Sequence, residues 1–85
     1  RIPISAVKSM IGQSYAAGGM MNVAAALLAL NEGVLAPTVN LENPDPSCDL
    51  DYVPNTARVN DIQTALATAI SFGGTHSAVL LRRAA

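Results

Sequence analysis

Ser14-Tyr15-Ala16-Ala17-Gly18-Gly19-Met20-Met21-Asn22-Val23-Ala24-Ala25-Ala26-Leu27-Leu28-Ala29-Leu30, closing on Asn31-Glu32-Gly33, is the stretch whose reading decides the fold. Nothing in it breaks a helix before Gly33, a residue suited to a left-handed helix end, so a helix of roughly 25 Å is predicted from about Ser14 to Leu30. From Met20 to Leu30 apolar side chains fall on every face, whereas a surface helix keeps one side wet. The helix is therefore expected inside a larger body. Ala16, Ala17, Gly18 and Gly19 carry almost no side chain, which costs helix stability at the glycines and points to close approach of another backbone.

Outward from the helix, Ile2 to Val7 is a β-leaning run, and Lys8-Ser9-Met10-Ile11-Gly12 supplies a loop. Pro37-Thr38-Val39-Asn40-Leu41 reads as extended, and Glu42-Asn43-Pro44-Asp45-Pro46-Ser47 as a turn region that no regular element crosses. Asp49-Leu50-Asp51-Tyr52-Val53-Pro54 is expected to be a short edge strand ended by its proline. Gln63 to Phe72 and His76 to Leu81, separated by Gly73-Gly74-Thr75, carry a hairpin pattern. The expected order is strand, buried helix, extended loop, β-hairpin: an α/β arrangement.

The 85 residues are 51% apolar, 13% charged and 4% aromatic, with a formal net charge of −1, so no basic face exists for a nucleic-acid partner. So many apolar residues with so few charges imply burial against something outside this stretch, as in a fragment rather than an independent domain. Cys48 stands alone, which excludes an internal disulfide framework and fits a reducing, cytoplasmic setting. No leader-like start and no apolar run of about 20 residues is present, so the chain reads as soluble, with no membrane partner. One Cys and one His at no ligand spacing do not close a metal site, and no cofactor is implied.

Three groups of residues, taken together and in order, resemble the β-ketoacyl synthase family of the thiolase-like fold. They are Lys8-Ser9-Met10-Ile11-Gly12; then Pro37 to Leu41 with Asn43-Pro44-Asp45 and Cys48 to Pro54; then Phe72-Gly73-Gly74-Thr75. Family members are several times longer, so the resemblance implies that residues 1–85 are the C-terminal part of such a protein's C-terminal domain, with the nucleophilic Cys upstream. It also implies decarboxylative Claisen condensation between a Cys-bound acyl group and a malonyl unit on an acyl carrier protein.

Against that family pattern the chain departs at three places. The motif Lys-Ser-x-x-Gly-His reads Lys8-Ser9-Met10-Ile11-Gly12-Gln13, and a Gln amide donates a hydrogen bond but neither becomes cationic nor shuttles a proton near neutral pH. Asn22 stands where active members carry a Glu that pairs with the Lys, which leaves Lys8 without that counter-charge. At the hairpin, Ile70 replaces a gating Phe and Ser71 a Gly, ahead of Phe72, Gly73 and Gly74, so the gate and the loop's freedom are expected to change.

These changes are similar to those of chain-length-factor subunits of type II polyketide synthases, which keep the fold and lose the catalytic residues. That resemblance implies a heterodimer with an active ketosynthase and contact with acyl carrier protein bearing a phosphopantetheine-bound acyl chain. Two alternatives stand beside it: an active 3-oxoacyl-[acyl-carrier-protein] synthase with a natural or engineered His-to-Gln change, and a small autonomous interaction protein. Neighbouring residues are given ordinary roles. His76 is a turn residue, Cys48 a buried or inert thiol beside Asp45 and Asp49, and Asp49 and Asp51 local hydrogen-bonding groups. Met20 and Met21 are plastic fillers, which the resemblance would set beside an interface or acyl tunnel.

Overall fold

The computed structural model describes residues 2–84. A four-residue helical turn α1 (Lys8–Ile11) and a 3-10 turn (Tyr15–Ala17) lead into the main helix α2 (Gly18–Glu32). Two short strands, β1 (Val34–Leu35) and β2 (Arg58–Val59), pair antiparallel, and β3 (Thr64–Ile70) and β4 (His76–Arg82) form a longer antiparallel hairpin.

Helix α2 begins at Gly18 rather than near Ser14: Tyr15 takes a φ of 50°, outside the right-handed helical region, and the 3-10 turn Tyr15–Ala17 occupies the stretch before it. It ends as its sequence dictates: Gly33 adopts the left-handed conformation at φ 67°, and its N–H donates to the Ala29 carbonyl at 2.9 Å. Although both faces are apolar, only one is covered within the chain. Gly19, Val23, Ala26 and Leu30 turn inward at helical spacing, while Met20, Leu27 and Leu28 remain exposed.

The hairpin keeps one register throughout, from Thr64 opposite Arg82 to Ile70 opposite His76. Alternation puts Ala65, Ala67 and Ala69 on the better-covered face, with Ala67 buried. These methyls let α2 settle close: a Cβ built on Gly19 would lie 3.5 Å from the Ala69 Cβ. The expected close approach at the glycines is thus met by a side-chain methyl rather than by another backbone. On the opposite sheet face Leu66, Ile70 and Leu80 are exposed.

Two expected strands are not continuous. Between Ile2 and Val7 only Pro3 bridges, in parallel, to Asp51, with Ile4 N–H donating to the Asp51 carbonyl at 2.7 Å. Pro3 offers no N–H, and Ser5 Oγ and Ala6 N–H turn to Ala36 O and Thr38 Oγ1 instead. The stretch from Asp49 to Pro54 is likewise no edge strand. Val53 and Asn55 flank Pro54 with φ of 47° and 63°, so the chain kinks and makes single bridges, Asp51 to Pro3 and Pro54 to Thr38. Val53, exposed by 1%, is the most buried side chain, and Leu30, Leu35 and Ala67 complete the small core.

Candidate functional site

The motif residues lie on consecutive turns. Lys8 opens α1 on the exposed surface, where its carbonyl accepts the Gly12 N–H at 2.8 Å. Lys8 is exposed within this chain, and among the described residues it makes no ion pair. Gly12, at φ 79°, reverses the chain and delivers Gln13 to a short connection before the 3-10 turn. Gln13 Oε1 lies 3.5 Å from the position a Cβ on Gly18 would take, so the amide rests over the first turn of α2. A bulkier residue at position 18 would press on that side chain.

Asn22 is half-buried on α2, and its side-chain Nδ2 donates to the Thr68 carbonyl of β3 at 2.8 Å. It serves as a tie between helix and strand. Lys8 and Asn22 share no hydrogen bond among the described residues, so the two positions that the resemblance would pair are not joined here.

The hairpin residues form a five-residue loop between Ile70 and His76. Ser71 N–H donates to the Thr75 carbonyl at 2.9 Å, Gly74 N–H to the Ser71 carbonyl at 3.0 Å, and Thr75 N–H to Ser71 Oγ at 3.1 Å. The hydroxyl that replaces a glycine hydrogen therefore adds a bond across the loop, and Gly74 supplies the left-handed step at φ 85°. Gly73 follows Phe72 at the tip. Ile70 points to the open face of the sheet, away from α2, and His76 is exposed at the start of β4.

One contact joins the two groups. The rings of Tyr15 and Phe72 lie 5.8 Å apart between centroids, inclined at 48°, a tilted geometry within the favourable range for aromatic pairs. It links the connection that bears Gln13 to the hairpin tip. Sequence reasoning passed over Tyr15; the available signal was that a chain with two Tyr, one Phe and no Trp places one ring two residues beyond its central motif.

Away from this pair of loops, Asp51 accepts from both guanidinium nitrogens of Arg58, one at 2.9 Å, and from the Val53 N–H at 3.3 Å. The hydrogen bonding that Arg58 donates to the Asp51 carboxylate raises the Arg58 pKa above its ordinary value. Cys48, expected to be buried or inert, is exposed. The turn that carries it is organised by Asp45, whose carbonyl accepts the Cys48 N–H at 2.8 Å and whose carboxylate accepts the Ser47 N–H at 2.9 Å. Among the described residues no three His, Cys, Asp or Glu side chains gather as metal ligands, and no helix is long and apolar enough to cross a membrane.

Residues 1–42 match the model of the β-ketoacyl synthase C-terminal domain. Over 82 residues the chain is 51% identical to the tetracenomycin polyketide synthase ketoacyl synthase alpha subunit of Streptomyces glaucescens, covering 96% of this chain and 19% of that protein. It is 49% identical over 84 residues to the actinorhodin polyketide putative β-ketoacyl synthase 1 of Streptomyces coelicolor, 99% of this chain and 18% of the relative. Similarity extends to 3-oxoacyl-[acyl-carrier-protein] synthase 2 of Coxiella burnetii, at 41% over 83 residues, 98% of this chain and 20% of that one.

Among solved structures, a type II polyketide synthase acyl-carrier protein in complex with its ketosynthase bound to the hexaketide contains a chain that superposes with a TM-score of 0.94 at 39% identity. That match covers 99% of this chain and 21% of the other. The ishigamide ketosynthase/chain length factor matches with a TM-score of 0.92 at 34% identity, over 95% and 20%. The chain thus spans about a fifth of the length of the proteins it matches. With the domain model carrying its first half, and relatives and structures carrying nearly all of it, the chain belongs to the β-ketoacyl synthase family and has the thiolase-like ketosynthase fold over the residues described.

Proposed function

We propose that this chain is the C-terminal segment of a chain-length-factor-like subunit: a ketosynthase-fold protein that has no acid–base chemistry of its own. It pairs with an active ketosynthase in the decarboxylative Claisen condensation of acyl and malonyl groups carried by acyl carrier protein. The observation that carries this reading is Gln13, an amide at the end of a motif that otherwise closes on an imidazole. An amide can polarise a carbonyl by donating a hydrogen bond, but it holds no titratable proton near neutral pH. Removing a positioned acid, base or oxyanion donor costs about 10²–10⁴-fold in rate, so a site built on Gln13 contributes little chemistry.

Asn22 supports the same reading. Its amide is engaged with Thr68, and no carboxylate at that position answers Lys8. Surface area supports the inferred remainder of the polypeptide as the first partner. The chain exposes 6217 Å², against about 4700 Å² for a compact monomer of its mass, and Met20, Leu28, Leu66 and Leu80 are among the exposed side chains. The solved ketosynthase–carrier protein complex and the ketosynthase/chain length factor lend support to carrier protein and ketosynthase as further partners.

A second reading, an active 3-oxoacyl-[acyl-carrier-protein] synthase, is favoured by the names of the curated relatives: those at 48–52% identity are described as ketoacyl synthase alpha subunit or β-ketoacyl synthase 1. The experiment that separates the two is condensation by the full-length parent protein, alone and with a partner ketosynthase, using malonyl and acyl carrier protein. No product alone and product with the partner is expected. Turnover by the parent alone, or turnover that appears alone only in Gln13→His, supports the second reading.

A further inference from the structure

Residues 3–6 lead directly into the motif that carries Gln13, and two of their polar ties run back to one kinked segment, residues 51–55. The Ile4 N–H donates to the Asp51 carbonyl at 2.7 Å, and the Ala6 N–H to Thr38 Oγ1 at 3.2 Å. Thr38 is itself gripped by the kink: its N–H donates to the Val53 carbonyl at 2.9 Å, and its carbonyl accepts the Asn55 N–H at 3.0 Å. Between these ties Ser5 Oγ donates to the Ala36 carbonyl. Val7, the next residue, accepts the Met10 and Ile11 N–H groups and so starts the turn that holds Lys8. The kink does not keep its shape by local preference. Val53 is β-branched and 1% exposed, with a φ of 47°, a region such a residue enters only where its surroundings fix it. One group that fixes it is the Asp51 carboxylate, which accepts the Val53 N–H at 3.3 Å and both guanidinium nitrogens of Arg58, one of them at 2.9 Å. A two-nitrogen fork on a carboxylate is a strong and directional contact, and here it joins β2 to the kink.

From this we infer that Arg58 is a positioning residue for the motif from Lys8 to Gln13. By clamping the Asp51 carboxylate it holds the 51–55 kink, and the kink, through the Asp51 carbonyl and Thr38, holds the run from Pro3 to Ala6 on which the motif is mounted. Among the described residues Arg58 shares no hydrogen bond or ion pair with the motif itself, so its effect on Gln13 is relayed. The inference concerns where the motif is held, and it stands whether this subunit condenses acyl groups itself or assists a partner. Arg58→Lys keeps the charge and loses the fork, whereas Arg58→Gln loses both.

The test is amide hydrogen exchange of the full-length parent, read peptide by peptide. Arg58→Gln is expected to raise exchange about ten- to hundredfold in peptides over residues 4–13 and 51–55, the span of a charge-assisted hydrogen bond expressed as an opening equilibrium, while α2 and the β3–β4 hairpin keep the parent's rates. Arg58→Lys should recover part of the lost protection. Asp51→Asn should raise exchange in the same peptides, and the double variant no more than the larger single effect, because both act through one contact. Should Arg58→Gln fail to fold, Arg58→Lys carries the same comparison of the motif against α2. Parental rates over residues 4–13 in the folded Arg58 variant, or a rise spread equally over α2 and the hairpin as a general loss of stability would give, overturns the inference.

Discussion

The side-chain amide of Asn22 donates to the main-chain carbonyl of Thr68 at 2.8 Å, fastening the middle of α2 to β3. The family pattern that the chain resembles has a Glu at this position, and an ionised carboxylate, an acceptor only, could not make the same bond to a carbonyl oxygen.

Exchange at Asn22 should therefore be read first as a stability change. Asn22→Ala in the full-length parent is expected to lower unfolding free energy by about 1 kcal/mol, the net value of one hydrogen bond. Asn22→Asp should cost more at neutral pH, because an ionised carboxylate would face the Thr68 carbonyl. The protonated acid can donate where the anion cannot, so its folded-state pKa is raised. The stability it contributes is present at acid pH and is lost as pH rises through that folded value. Denaturant melts across pH check the order and the sign.

At Gly19 the room available is one methyl. A Cβ there meets the Ala69 Cβ at 3.5 Å, ordinary van der Waals contact, and the residue lies in the first turn of α2 at a non-positive φ. Gly19→Ala is expected to be neutral or stabilising by up to about 1 kcal/mol through helix propensity. Gly19→Leu should overpack the helix–sheet seam and cost about 1–3 kcal/mol. Chemical denaturation of the two variants beside the parent distinguishes these outcomes.

Produced alone, residues 1–85 are expected to show no cooperative thermal transition and to bind a hydrophobic dye. Among the described residues Leu30, Leu35, Val53 and Ala67 are the buried apolar side chains, a small core for a chain that leaves 6217 Å² exposed. A sharp, reversible melt by circular dichroism would show that the segment is an independent domain.

Much of this architecture was legible in the sequence because it is written in strong local signals. The end of α2 at Gly33 and the hairpin around Gly73-Gly74 follow from backbone preferences that only a few residues satisfy. What misled was tertiary: the positive φ of Tyr15 delays the helix to Gly18, and that of Val53 turns an apparent edge strand into isolated bridges. Neither a Tyr nor a β-branched Val announces such a conformation, since local sterics oppose it and only surrounding contacts hold it. The two-residue strands β1 and β2 carry too short a pattern to be seen. At the candidate site, Gln13, Asn22 and the hairpin residues stood out by their departure from the family pattern the chain resembles, whereas the partners of Asn22 and Phe72 did not show in the sequence. Thr68 contributes a backbone carbonyl, which no side-chain pattern encodes, and Tyr15 meets Phe72 across most of the chain.

The central claim concerns Gln13, and condensation by the purified full-length parent tests it most directly. Without a partner ketosynthase, the parent is predicted to form no β-ketoacyl carrier protein from malonyl and acyl carrier protein, and a second, catalytically competent ketosynthase should restore product. Elongation by the unaltered parent alone, at the rate of an active ketosynthase, would contradict it.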